Sequence, residues 1–193
     1  MSKDYREAIK HLELARISLY KHLVQDLYAQ GHPDVHFSDR LPKCLVRRRE
    51  INGYLVFQLS YDGIMPMYDD DPKYQQEIRD YYIRATLRGY DWPANRQTFR
   101  NAAIMVVHYF NDLSIRDLDN RNRSVLINAI RYTGLVWDDN WKNVTYLEKG
   151  ELDAEGRCHV QVYVMDAGNL SDFLLVHDRM HREFVSELKW GLC

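Results

Sequence analysis

The sequence predicts an α+β domain, a mixed sheet with packed helices, carrying an added helix at each terminus. Three observations lead there. Between about residues 44 and 166, β-prone runs alternate with amphipathic helical segments. The chain has 193 residues, enough for one buried core. Its 46% hydrophobic and 28% charged residues are the proportions of an ordinary globule.

The elements follow in order. Over residues 4–29, Ile9, Leu12, Leu19, Leu23 and Leu27 recur at helical spacing, and Gly31-His32-Pro33 ends the run. Leu12, Leu14, Ile17, Leu19 and Leu23 lie around much of its girth, so this helix needs cover on more than one side. A second subunit or the C-terminal helix is expected to supply it. An irregular stretch runs to about Pro42. Next, LVRRREINGYLVFQLS (45–60) reads as a hairpin, because Asn52-Gly53 between β-prone runs tolerates positive φ at both turn positions. The loop YDGIMPMYDDD leads to a helix with Asp71 as N-cap, Pro72 at its first position and Gly89 just past its end. NAAIMVVHYF (101–110) is a continuous apolar run, the mark of a strand buried on both faces.

A helix is predicted from about Asn120 to Thr133, closed by Gly134. Two strands, WKNVTYLEKGEL and RCHVQVYVM, follow, joined by a turn at 153–156. A final helix runs from Ser171, a plausible cap, to about Lys189. The expected organisation is an extension over 1–43, a domain over 44–166 and a C-terminal helix over 167–193.

Composition narrows the function. A net charge of −2 argues against the basic surface that grips long nucleic acid non-specifically. Three dispersed cysteines, Cys44, Cys158 and Cys193, fit free thiols in a reducing compartment. No stretch approaches the roughly 20 apolar residues of a membrane span, and the charged N-terminus is no secretory signal. The expected location is the cytoplasm, with no membrane partner.

The chemistry concentrates in RDLDNRNRSVLINAIRYTGLVWDDN (116–140), where Asp117/Asp119 and Asp138/Asp139 flank one short helix. Carboxylates held together are costly unless a cation or proton lies between them. Returning extended from the helix, Gly134 to Asp139 spans ~17 Å at about 3.3 Å per residue, roughly the ~20 Å length of the helix itself. On that path the second doublet comes back beside the first. Such an oxygen cluster suits Mg²⁺ or Mn²⁺ and phosphodiester chemistry. The same residues also serve as a capping segment and a turn. Arg116, Arg121, Arg123, Arg131 and Lys142 bracket the acidic site, and Lys43, Arg47, Arg48 and Arg49 cluster at the hairpin, as a phosphate-holding rim or as the charges of a protected edge strand. His177 and His181 are four apart but lack the frame of a zinc site. Trp137, Trp141 and Tyr146 are expected in the core or an interface.

Arg116-Asp117-Leu118-Asp119-Asn120, an amphipathic helix, then Gly134-Leu135-Val136-Trp137-Asp138-Asp139 resembles the signature of the RusA-type Holliday junction resolvases. The resemblance spans about 53–166. It implies a RusA-like mixed sheet and a homodimer that nicks opposed strands of branched DNA, such as a four-way junction, with Mg²⁺. Asp117, Asp119 and Asp139 would be metal ligands, with Asp138 in support. Where the family carries a lysine in the first helical turn, this chain offers Arg123 or Ser124, and the family's later aspartate is Asn128. Its usually basic loop is here acidic, with Asp69, Asp70 and Asp71. Two functions follow as expectations. One is a Mg²⁺-dependent, structure-specific endonuclease; the other is an inactive RusA-fold binding or regulatory protein that engages a partner protein through its added helices.

Overall fold

The computed structural model describes residues 3–29, 44–114 and 116–186. Lys43 and the stretch between the first helix and the hairpin lie outside them, as does the end of the chain. The protein is α+β, with a mixed five-stranded sheet and four α-helices among the described residues.

Strands β1 (Cys44–Ile51) and β2 (Tyr54–Asp62) form the predicted hairpin. Its turn is the one the sequence demands, with Asn52 at φ 48° and Gly53 at φ 83°. Helix α2 (Pro72–Arg88) is capped by Asp71, whose carboxylate accepts hydrogen bonds from the amides of Lys73 and Tyr74. Gly89 follows as expected, but for a different reason than left-handed backbone. Its φ is −69°, and a Cβ there would lie 2.4 Å from the carbonyl oxygen of Cys44 on β1. The glycine lets the end of α2 rest directly on the hairpin.

Strand β3 (Ala102–Phe110) is buried on both faces. Its even-numbered residues Ala102, Ile104 and Val106 enter the core beneath α2, and Ala103, Met105, Val107 and Tyr109 enter a second core on the opposite face. After it comes helix α3 (Arg123–Tyr132), three residues shorter at its start than predicted. Residues 120–122 are held instead by the loop after β2: Asn120 and Asn122 hydrogen-bond to Tyr68 and Pro66 through their backbones, and Arg121 bridges Met67. Backbone groups spent on that bridge are not available to a first helical turn.

Strands β4 (Val144–Leu152) and β5 (His159–Asp166) exist where expected but do not pair with each other. The order is β1-β2-β5-β3-β4, so β3 lies between them. β3 and β4 are parallel, in register from Ala102 opposite Val144 to Phe110 opposite Leu152. The turn at 153–156 carries the chain across the end of β3, where the amide of Asp153 donates to Phe110. β1 and β4 are the sheet edges.

Helix α1 (Lys3–Ala29) lies on α2. Ile17 is buried, Leu14 packs against the core, Glu13 accepts from the Tyr74 hydroxyl, and Lys10 pairs with Asp69 (3.1 Å) and Asp71 (2.9 Å). The acidic loop of the sequence is thus partly neutralised by α1. Helix α4 (Leu170–Ser186) covers the other face, seating Phe173 on a layer that includes Val56, Met105, Tyr163 and Met165. Its start differs from the prediction. Asp166 accepts from the Gly168 amide and caps a 3₁₀ turn (Ala167–Asn169) that runs into α4, leaving Ser171 inside the helix. Because α1 and α4 occupy opposite faces, α4 is not the second cover expected for α1 among the described residues. No helix among them is long and apolar enough to cross a membrane.

Candidate functional site

Topology decides where the carboxylates go. A parallel β3–α3–β4 unit enters its helix at one end of the sheet and leaves it at the other. Asp117 and Asp119 follow the last residue of β3, whereas Asp138 and Asp139 precede the first residue of β4, which is level with the start of β3. The chain after α3 does not return along it. Val136 instead forms a parallel bridge with Phe99, just before β3, and the Trp137 amide donates to Phe99 (3.1 Å). The ten residues of α3, about 15 Å long at 1.5 Å each, separate the doublets.

The chain therefore does not bring the four aspartates together. Among the described residues no group of three or more His, Cys, Asp or Glu side chains is placed to hold a metal ion. The residues present do not form the three-carboxylate site that the resemblance implies for Mg²⁺ or Mn²⁺. Each doublet has local work. Asp117 accepts from Asn120 at 3.5 Å, and both Asp117 and Asp119 are exposed. Asp138 accepts from Asn140 Nδ2 (2.6 Å) and the Asp139 amide (2.8 Å), and these bonds hold its carboxyl below the usual range. Asp139 faces Arg131 at 3.9 Å.

The candidate lysine position is also committed elsewhere. Arg123 Nε lies 2.9 Å from Glu148 on β4, and the other oxygen of Glu148 lies 2.7 Å from Nε2 of the buried His108 on β3. Glu148 thus ties the start of α3 to the sheet. Sequence reading missed Glu148 and His108, because nothing in a single strand shows what will pack over it. Ser124 and Asn128 turn the other way, lining a cleft of about 350 Å³ between α2 and α3 with Gln75, Gln76, Arg79 and Asn122.

Most of the predicted basic rim has internal partners or a distant address. Arg116 pairs with Asp112 (2.9 Å) and lies over the Phe110 ring. Arg121 donates to the Met65 carbonyl, and burial lowers its pKa. Arg131 faces Asp139, and Lys142 is exposed over Trp141. Arg47, Arg48 and Arg49 lie on β1, separated from β3 by β2 and β5, so they do not border the aspartates. Arg49 donates to Gln58 on β2 (2.7 Å). Their place on an edge strand fits the protective role that repels further strands.

Two of the three aromatic residues expected in the core or an interface are outside the core. Trp137 and Trp141 are 67% and 84% exposed, while Tyr146 is half-buried. The turn they flank is polar and lies outside the sheet, so no second layer covers it. His177 is fully buried against Tyr163 and Phe173, with ring centroids 5.1 and 5.6 Å away. The side chain of His181 lies outside the described residues.

No protein-family model and no curated protein matches the chain. Among solved structures it is similar to the OmpA-like domain of FopA1 from Francisella tularensis subsp. tularensis SCHU S4, at 9% identity over 69% of this chain and 87% of that one. The TM-score is 0.27, and a likeness of that size carries no argument about fold or function.

Proposed function

We propose that this chain is a non-cleaving binding protein of RusA-like architecture that holds a partner protein through α1. The outer face of that helix carries the reading. Tyr5, Ile9, Leu12 and Leu19 follow one another at intervals of four, three and seven residues and are 69%, 37%, 70% and 70% exposed. The inner face, with Lys10, Glu13, Leu14 and Ile17, is already occupied by α2 and its loop. A surface helix ordinarily shows one apolar stripe and one polar face; α1 has two apolar stripes. The spacing is that of a coiled-coil seam with Arg16 at the position between Leu12 and Leu19, so the fitting partner surface is another amphipathic helix. The separation of the carboxylate doublets supports the non-cleaving part of the reading.

Sedimentation of the purified protein tests it, together with mass spectrometry of whatever co-purifies. The wild type is expected as an assembly, with itself or an identified protein, and Leu12→Asp combined with Leu19→Asp as a monomer. Both positions are exposed in the lone chain, so circular dichroism should show the variant folded. A wild type that is monomeric and alone would sink the proposal.

A second reading, the Mg²⁺-dependent endonuclease on branched DNA, retains one favourable observation. Asp117 and Asp119 are exposed in one loop, and neither forms an ion pair among the described residues. Incubation with a labelled four-way junction in Mg²⁺ or Mn²⁺ separates the readings. Cutting by the wild type that Asp117→Asn abolishes would establish the enzyme and overturn the non-cleaving proposal.

A further inference from the structure

The end of the sheet where β3 begins carries a surface that neither reading uses. Three large aromatic side chains face solvent here, Tyr132 (59% exposed) at the last position of α3 and Trp137 (67%) and Trp141 (84%) in the stretch between α3 and β4. Exposed tryptophans are uncommon, because the side chain gains so much from burial. Each of these rings also carries a cation. Arg100 lies 5.8 Å from the Trp137 centroid, Arg131 5.8 Å from Tyr132, and Lys142 5.5 Å from Trp141.

The scaffold beneath is fixed. Leu135 and Val136 are buried, the Phe99–Val136 bridge anchors Trp137, and Asn143 Nδ2 donates to the Arg100 carbonyl (2.8 Å). The turn between the tryptophans is closed by Asp138 with Asn140 and by the Lys142 amide on Asn140 (2.9 Å). The rings thus project from a braced loop.

From this geometry we infer that the aromatic end of the molecule is a binding site for single-stranded DNA, which stacks unpaired bases on Trp137 and Trp141 and sets phosphates against Arg100 and Lys142, while Arg131 faces Asp139. Flat rings offer every base a face, and neighbouring cations track the backbone. Protein interfaces also favour tryptophan, tyrosine and arginine, but they are depleted of lysine and centre on a buried apolar core; here the aliphatic residues of the loop are buried and a lysine lies over the most exposed ring. The amides and carboxylate that could read a base edge or a 2′-hydroxyl are consumed in the turn: Asp138 by Asn140 and the Asp139 amide, Asn140 by the Lys142 amide, Asn143 by Arg100. The site is therefore sequence-tolerant and has no feature that selects RNA. It is independent of the contact proposed for α1, on a different surface.

Fluorescence anisotropy of the full chain with a labelled oligothymidine about 20 nucleotides long, at about 50 mM salt, tests the site. Binding is expected, with quenching of tryptophan emission. Trp137→Ala with Trp141→Ala should weaken it at least about tenfold, and Arg100→Gln with Lys142→Gln should flatten its salt dependence. All four side chains lie at the surface, and circular dichroism checks that the variants fold. Absence of binding, equal binding by the double tryptophan variant, or equal binding of a duplex of the same length would each overturn the site. An RNA strand bound tenfold tighter would overturn the assignment to DNA. Loss of a protein partner by the tryptophan variant, with its DNA affinity intact, would make the patch a protein interface and overturn the inference.

Discussion

The two ends of α3 begin from similar sequence and finish with different roles. Each is flanked by a pair of aspartates, with arginines close by. At the N-terminal end, the loop is pinned by backbone bonds to residues 66–68, Arg123 is drawn onto Glu148, and Asp117 and Asp119 are left to solvent. At the C-terminal end, Asp138 and Asp139 are absorbed into a turn and an ion pair, and tryptophans are left to solvent. The difference follows from connectivity. In a parallel crossover the helix carries its two flanking loops to opposite ends of the sheet. Residues only about 20 apart in sequence cannot share a site there unless one loop is long enough to run back.

The comparison can be broken hardest at the N-terminal end. Glu148→Ala leaves Arg123 and the buried His108 without their shared partner. Leaving the buried His108 Nε2 without its hydrogen-bond partner costs about 2 kcal/mol, to be read as a fall in the urea midpoint at unchanged slope. At the C-terminal end the matching change is milder. Gly134 closes α3 at φ 77° with nothing within 4 Å of a built Cβ, so Gly134→Ala meets only backbone strain, about 1 kcal/mol. The smallest expected effect is none at all. Added Mg²⁺ should leave the melting temperature unchanged, since a ligand stabilises only the state that binds it. A rise lost in Asp119→Asn but kept in Asp139→Asn would place a metal site at the N-terminal end; a rise lost in both would show that the two ends meet.

What the sequence revealed was local. The Asn52-Gly53 turn, the Asp71 cap and the doubly buried β3 each depend on a few adjacent residues, and each is found where predicted. The failures are non-local. The start of α3 gave way to a bridge with Met67, a residue more than 50 positions away, and β5 skipped β4 to pair with β3 and β2. The return of Asp138 and Asp139 was the instructive error. The parallel pairing of β3 with β4 makes 102–152 a crossover, and the loop from Gly134 to Asn143 follows the start of β3 instead of running back along α3. Trp137 and Trp141 were assigned to the core or an interface by residue type alone, although the polar run Asp138-Asp139-Asn140 between them marked a turn at the surface and so excluded the core.

The contact between Gly89 and the Cys44 carbonyl also governs the chemistry of a sulfur atom. Cys44 is sealed beneath the end of α2, and burial pushes its thiol pKa up to about 12. Thiolate is the reactive form, so an alkylating reagent finds almost none of it in the native protein. Cys158, partly exposed, reacts on its own schedule. Cys44 is then a built-in clock: its modification reports how often α2 lifts from the hairpin, a local opening that equilibrium melting averages away.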